Sequence, residues 1–239
     1  MTLILTNDDG IDAPGMAALC EALDGRAIAI AAPRDELSGC GHQVTTRNPI
    51  HVDRRSSTSW AIAGTPADCT RIALSHLYPE ASWVISGINS GGNMGVDIYI
   101  SGTVAAVREA AFHGVPGIAI SQYRQGGRPV NWDITTHWAS RILADLLDRP
   151  PEPGCFWNVN LPYLEPGDRE PEIVLCENSA QPLPIDYHIE GDYFHYCGRY
   201  GDRPREIGTD VDVCFSGNIA ITQLSVRTLD NKPQRDRGA

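Results

Sequence analysis

Lysine is almost missing from this chain, since Lys232 is the only one among 239 residues. The formal net charge is −11, with 30 acidic and 19 basic side chains. Non-specific binding to a nucleic-acid duplex depends on clustered lysine and arginine, so this balance argues against that class of protein. If the ligand is anionic, helix N-termini or a bound metal ion must supply the positive potential.

Long apolar runs and paired cysteines are missing as well. No run approaches the roughly 20 apolar residues that a membrane span needs, so we expect no membrane association. The chain begins directly with a strand-like segment, without the pattern of an export signal. The seven cysteines are widely spaced with no C-x-x-C pair, which is typical of free thiols in a reducing compartment. These features predict a cytoplasmic protein.

Several common catalytic signatures are also missing. The sequence contains no G-x-x-x-x-G-K-[ST] loop, no complete G-x-G-x-x-G fingerprint and no G-x-S-x-G elbow. It therefore lacks the patterns of P-loop nucleotide hydrolases, of dinucleotide-binding enzymes and of α/β serine hydrolases. Its chemistry must depend on another arrangement of residues.

Short apolar segments alternate with helical patterns through the first half of the chain. This alternation predicts an α/β fold, a doubly wound and mostly parallel sheet covered by helices on both faces. The predicted strands are Leu3–Thr6, Ala27–Ala32, Trp83–Ser86 and 115–121, and predicted helices begin at Pro14, Thr65-Pro66 and Ser101.

The pattern changes after Ser121. A helix is predicted to begin at a cap on Asp133 and to end near Leu147, and three short strand-like pieces follow, at 156–161, 173–176 and 219–226. Long stretches rich in proline, glycine and aspartate separate these pieces. Such stretches bury little of their own surface, so we expect them to pack on the first domain or on a second subunit. The tail 232–239 is predicted to be disordered.

Polar side chains follow the predicted strands at the edge where an open α/β sheet binds its ligands. Hard divalent cations prefer oxygen ligands, and Asp8, Asp9, Ser38 and Asn89 offer a plausible set. The segment Ser101-Gly102-Thr103 offers hydroxyls and backbone N–H groups to a phosphate. Each segment alone also fits an ordinary turn or helix cap. Four such segments at one edge favour a metal and phosphate site.

Other polar and aromatic residues have less specific roles. His42 could act as a general acid, although a loop histidine is more often a polar surface group. Arg108 and Glu109 are predicted to form a surface pair. Trp132 could stack on a base, as could four other aromatic residues, but core or interface packing is the commoner role of such side chains. Those four are Trp138, Trp157, Tyr187 and Tyr193.

Five motifs occur in order along the chain and together resemble the SurE family, stationary-phase survival proteins that act as metal-dependent nucleoside monophosphate phosphatases. They are Asn7-Asp8-Asp9-Gly10 with Ala13-Pro14-Gly15, Ala32-Pro33-Arg34 with Ser38-Gly39, Gly64-Thr65-Pro66-Ala67-Asp68-Cys69, Ser86-Gly87-Ile88-Asn89 with Gly92-Asn93-Met94-Gly95, and Ser101-Gly102-Thr103-Val104 with Arg108-Glu109-Ala110. The resemblance covers about the whole chain. One departure lies at Ile100, where the family often has tyrosine, so substrate preference could differ.

The resemblance implies a site and an assembly. It places one Mg²⁺ or Mn²⁺ per subunit on Asp8, Asp9, Ser38 and Asn89, and it places substrate phosphate near Asn7, Gly39, Asn93 and Ser101-Gly102-Thr103. It also implies a Rossmann-like three-layer catalytic core at 1–125. Residues 126–231 would complete that core and form an arm exchanged between the subunits of a dimer or tetramer.

The expected function is hydrolysis of nucleoside 5′-monophosphates by a metal-activated water, with 3′-monophosphates as a further candidate substrate class. Asp8 and Asp9 are the expected catalytic residues, and either could take the proton of that water. Two alternatives stay open: an aspartyl-phosphate phosphatase with Asp8 as nucleophile, and a nucleotide-binding regulatory protein without catalysis.

Overall fold

The computed structural model describes residues 1–227, which form a nine-stranded sheet with helices on both faces. The strand order is β3-β4-β2-β1-β5-β6-β7-β11-β8. The six neighbouring strands from β4 to β7 are parallel, while β3, β11 and β8 run in the opposite direction. The strands are β1 Leu3–Thr6, β2 Ile28–Pro33, β3 Val52–Arg54, β4 Ser59–Ile62, β5 Trp83–Ser90, β6 Gly117–Gln122, β7 Cys155–Leu161, β8 Ile173–Leu175 and β11 Ile219–Ser225.

Alternating side chains of β1 build the two halves of the core. Leu3 and Leu5 pack with the first and fourth helices on one face, and Ile4 packs with the second and third on the other. The helices are α1 Pro14–Ala22, α2 Pro66–Ile72, α3 Gly102–Phe112, α4 Trp132–Leu146 and a short α5 Asp210–Phe215. The predicted doubly wound, mostly parallel α/β fold is confirmed.

The predicted end of β5 at Ser86 is wrong, because the strand continues to Ser90. Gly87 suggests a loop in the sequence, yet a Cβ atom there would lie 2.4 Å from the carbonyl oxygen of Ile120. The glycine therefore permits close approach to β6 instead of ending the strand. The extension places Asn89 and Ser90 at the carboxyl end of the sheet, where Asp8 and Asp9 follow β1.

The start of α4 also differs from the prediction. The N-cap is Asn131, whose side chain accepts a hydrogen bond from the backbone N–H of Ile134 at 3.2 Å. Asp133 lies inside the first turn and is not the cap. Strands β3 and β4 were not predicted, because they are short and β3 pairs with only one neighbour at the sheet edge.

The last third of the described chain divides into a packed part and an exposed part. Arg203 is buried and pairs with Asp97 at 2.6 Å, which fastens this region to the segment before α3. A separate hairpin of β9, Tyr187–Glu190, and β10, Tyr193–Tyr196, is exposed along its whole length. No helix within residues 1–227 is long and apolar enough to cross a membrane. The predicted disordered tail, 232–239, lies outside the described residues.

Candidate active site

Asp8 lies directly after β1 and is contacted by two other segments. The hydroxyl of Thr103, in the first turn of α3, donates a hydrogen bond to Asp8 Oδ1. The backbone N–H of Leu37, in the loop after β2, donates to the Asp8 carbonyl at 2.8 Å. A Cβ atom on Gly102 would lie 2.8 Å from both Cβ and Oδ2 of Asp8, so only glycine fits there without displacement. The fold therefore brings Asp8, Gly102 and Thr103 together, as the sequence predicts.

Asn7 and Asp9 flank Asp8 and make different contacts. Asp9 is half-buried and accepts a hydrogen bond from the backbone N–H of Ser90 at 3.1 Å. The side chain of Asn7 donates to the carbonyl of Gly10 at 2.7 Å, and Gly10 makes the turn with φ at 100°. The other side-chain atom of Asn7, Oδ1, is buried without a hydrogen-bond partner within residues 1–227.

The two carboxyl groups lie in an environment that disfavours their charge. Burial raises the pKa of Asp8 to about 6, the hydrogen bonds from Thr103 oppose this shift, and the charge of Asp9 adds to it. Burial also raises the pKa of Asp9. The hydrogen bond from Ser90 lowers this pKa, and the negative charge of Glu36 raises it further. A nearby cation would relieve both shifts because it favours the ionised form of each acid.

The donor set decides which cation these residues fit. Across residues 1–227, no three side chains of the types His, Cys, Asp and Glu come close enough to hold a metal ion. The two carboxylates of Asp8 and Asp9 remain, and the predicted Ser38 and Asn89 ligands would add a hydroxyl and an amide oxygen, so the donor set consists of oxygen atoms. Hard cations such as Mg²⁺ and Mn²⁺ prefer this set. The residues therefore fit a divalent ion completed by hydroxyl or amide ligands.

Ser38 and Asn89, the two predicted non-acidic ligands, lie near Asp9. Ser38 is exposed, donates to Glu36 Oε1 at 3.0 Å, and lines with Asp9 and Ser90 a cleft of about 460 Å³. Asn89 adjoins Ser90 and donates from Nδ2 to the Gly91 carbonyl at 2.8 Å, so its side-chain oxygen is the atom available for the predicted metal contact. Gly39 takes a left-handed conformation, φ 76°, in the exposed turn beside Ser38.

Asn93 is held by a polar network that sequence reasoning missed. Its backbone N–H donates to Asn160 Oδ1 at 2.8 Å, and its carbonyl accepts from the side chains of Asn158 and Asn160 at 3.0 Å each. Its own amide donates to Ser121 Oγ at 2.8 Å. Two asparagines with period 2 inside the buried strand β7 were the available signal. The network holds the backbone of Asn93 rigidly.

The hydroxyls predicted to meet a phosphate both have partners inside the protein. Ser101 is the N-cap of α3, and its oxygen accepts from the backbone N–H of Val104 at 3.0 Å. The hydroxyl of Thr103 donates its hydrogen bond to Asp8. The backbone N–H of Gly102 has no acceptor within the helix, because first-turn donors have none. The phosphate-binding potential of this segment therefore lies in the backbone and the helix dipole.

The predicted surface pair of Arg108 and Glu109 is wrong. Glu109 is buried and lies 2.8 Å from His42 Nε2 and 3.1 Å from His113 Nε2. Arg108 instead donates to the carbonyl of Ile98 at 2.7 Å and lies 3.5 Å from His42 Nδ1. Both ring nitrogens of His42 thus face residues of α3, so the imidazole is oriented by the protein and is not a free surface group.

Comparisons with known proteins identify the family. A family described as Survival protein SurE matches residues 3–181. A curated relative from Nostoc sp. is 60% identical over 226 residues, covering 95% of this chain and 100% of its own length. A protein named 5′-nucleotidase SurE from Methylobacterium sp. is 34% identical, covering 96% of this chain and 95% of its own.

The solved structures agree with the sequence comparison. The crystal structure of a SurE protein from Aquifex aeolicus matches with a TM-score of 0.85 and 27% identity, covering 96% of this chain and 95% of that one. Nearly the whole length therefore aligns both in sequence and in fold. On these grounds the chain belongs to the SurE family.

Proposed function

We propose that this protein is a divalent-metal-dependent phosphomonoesterase that hydrolyses nucleoside 5′-monophosphates, and 3′-monophosphates, to nucleoside and phosphate. The observation that carries the proposal is the pair of adjacent acids at the end of β1, Asp8 buried and Asp9 half-buried, with the pKa of each raised by burial. Membership of a family whose relatives are named 5′-nucleotidases supports the substrate class.

Asp8, Asp9, Ser38 and Asn89 are the proposed ligands of one Mg²⁺ or Mn²⁺. When bound, such an ion polarises phosphoryl oxygens and lowers the pKa of water. Asp8, which Thr103 holds in place, and Asp9 are the two carboxylates proposed to accept and return a proton during the reaction. The backbone at the start of α3 and the side chains of Asn7 and Asn93, with Gly39, are proposed to hold the phosphate.

The test is phosphate release from a panel of nucleoside monophosphates, with EDTA and with Mg²⁺ or Mn²⁺ restored. We expect activity that EDTA abolishes and metal restores, and we expect Asp8→Asn and Asp9→Asn to abolish it while the protein stays folded. Asp12→Asn, an exposed carboxylate in the turn before α1, is the matched control and should retain activity. Nucleotide binding without turnover under any metal would contradict the proposal.

The proposed assembly is a dimer or tetramer in which the C-terminal region packs on a partner subunit. Support comes from the β9–β10 hairpin, where Phe194 and Ile189, paired across the two strands, are 64% and 57% exposed. Contiguous exposed apolar side chains are typical of interaction surfaces. Light scattering after size-exclusion chromatography would measure the subunit number. The proposed compartment is the cytoplasm, supported by seven unpaired cysteines among residues 1–227.

A further inference from the structure

The cleft that Asp9 lines has a polar side and an apolar side. Asp9, Ser38 and Ser90 belong to the proposed metal site and its immediate surroundings. Pro129 and Val130 come from the segment before α4 and Trp132 is the first residue of α4, and the proposed chemistry uses none of the three. The cleft volume, about 460 Å³, lies in the range of small-molecule sites. An apolar and aromatic surface therefore adjoins the place where the phosphate ester would be cleaved.

Gly15 leaves the space in which the indole of Trp132 lies. A Cβ atom on Gly15 would lie 3.2 Å from Cη2 of the Trp132 indole and 1.9 Å from the carbonyl oxygen of Ile88. The absence of that Cβ lets the ring lie against the start of α1. The indole is half-buried there, so part of it packs in the core and part lines the cleft.

The loop that carries this surface is also held in shape. Arg124 donates from Nε to the carbonyl of Arg128 at 3.0 Å and from Nη2 to that of Gly127 at 2.8 Å. Arg124 lines the cleft, and among the described residues that do so it alone carries a positive charge. Its charge offsets part of the negative charge of Asp9 and Glu36 next to an anionic substrate.

We propose that this cleft binds the nucleoside moiety of the substrate, with the nucleobase stacked on the indole of Trp132. The inference rests on the proposed function and names the subsite for the leaving group. Stacking tolerates every base because each has a π face. The side chains of Pro129, Val130 and Trp132 carry no amide or carboxyl group to read base edges, so this side of the cleft favours larger rings over any particular base. Purine nucleotides then have lower KM values than pyrimidine nucleotides.

The test compares two substrates that differ only in the base, adenosine 5′-monophosphate and ribose 5-phosphate, in the metal-loaded enzyme. Trp132→Ala should raise KM for the nucleotide by about tenfold, within the roughly 5- to 150-fold range of lost base stacking. It should leave kcat/KM for ribose 5-phosphate within about twofold of wild type. Trp132→Phe keeps an aromatic face and should recover most of the loss. Trp60→Ala removes another half-buried indole, far along the sheet on β4, and should affect neither substrate.

A second measurement uses a nucleoside that has no phosphate group. Adenosine without phosphate should inhibit ribose 5-phosphate hydrolysis competitively in the wild type and at least about fivefold more weakly in Trp132→Ala. Equal losses with both substrates, or no change with either, would overturn the inference while the proposed function stands. A wild-type enzyme that hydrolyses neither substrate with Mg²⁺ or Mn²⁺ would overturn the proposed function and this inference with it.

Discussion

The hydroxyl of Thr103 donates a hydrogen bond to Asp8, and this contact joins the first turn of α3 to the end of β1. It orients a carboxylate proposed to bind metal, and it also lowers the pKa of that group against the effect of burial. The start of α3 thus supports the proposed metal site from outside the proposed ligand set. Such supporting hydrogen bonds tune both the position and the basicity of a ligand.

Thr103→Val should therefore weaken metal binding. The variant keeps the shape of the side chain but removes the donor, which leaves Asp8 less well oriented and its pKa higher. We expect the metal concentration for half-maximal activity to rise about 10- to 100-fold. Thr103→Ser retains the hydroxyl and serves as the control. An unchanged metal requirement in Thr103→Val, measured by titrating Mg²⁺ into EDTA-treated enzyme, would show that Thr103 does not support the site.

Gly102→Ala should inactivate the enzyme without unfolding it. The new Cβ would approach Asp8 within 2.8 Å and the sulfur of Cys40 within 3.0 Å, so the carboxylate must move. A misplacement of about 1 Å in a catalytic group can cost about 100-fold in rate, and we expect a loss of that order. Alanine also favours the helix by about 1 kcal/mol, which limits any loss of stability. Ala105→Gly, also near the start of α3, is the matched control, and its kcat should stay near that of wild type.

The stability of the metal-free protein should depend on Asp8 between about pH 4 and pH 6. The folded-state pKa, about 6, lies above the unfolded value of 3.8, so the fold favours the protonated carboxyl. The contribution of this group is fully present below pH 3.8 and is lost as the pH rises through about 6. The loss amounts to about 3 kcal/mol at neutral pH.

Asp8→Asn removes this titration, because an amide is neutral at every pH. In EDTA, the variant should be more stable than wild type at pH 8 and similar to it near pH 4, as measured by urea unfolding. In addition, Mg²⁺ or Mn²⁺ should raise the melting temperature of the wild type and leave that of the variant unchanged. Parallel pH profiles of the two proteins would contradict this account of Asp8.

Asn160→Leu should disturb the segment that carries Asn93. It removes the acceptor for the Asn93 N–H and one donor to its carbonyl, both of which are buried. The carbonyl keeps its hydrogen bond from Asn158, so only the N–H is left unpaired, and we expect a loss of about 1–3 kcal/mol in the free energy of unfolding. The KM for nucleotides should rise as well. Asn158→Leu removes only one of the two donors to the Asn93 carbonyl and leaves the Asn93 N–H paired, so it should be less damaging. Equal effects of both changes would argue against the proposed contacts.

The parts predicted correctly from the sequence depend on short-range rules. β1 ends where its apolar residues meet Asn7-Asp8-Asp9, and the structure has it at Leu3–Thr6. Thr65 and Asp68 form the capping box at the start of α2, and Ser101 caps α3. Parallel strands place their carboxyl ends at one edge, which predicts that the loops after β1, β2 and β5 lie close together. Each of these conclusions needs only neighbours in the chain.

Other features arise between residues far apart in the chain, and only the tertiary structure decided them. Glu109 is buried where His42, His113 and Arg71, all distant or a helical turn away in the sequence, contact its carboxyl group, whereas its immediate neighbours in the sequence suggest an exposed helix face. Gly87 lies inside β5 because β6 approaches so closely there that a residue with a Cβ atom would not fit.

The chemical character of the site also came from folding. By itself, the sequence determined the residue types at the sheet edge, two acids with a hydroxyl and an amide, because local patterning places the strand ends and helix caps. It could not determine the raised pKa of Asp8, the anchoring of Asn93 by β7, or the indole of Trp132 beside Asp9. Burial, long-range hydrogen bonds and packing create these properties, and they exist only once distant segments are in contact.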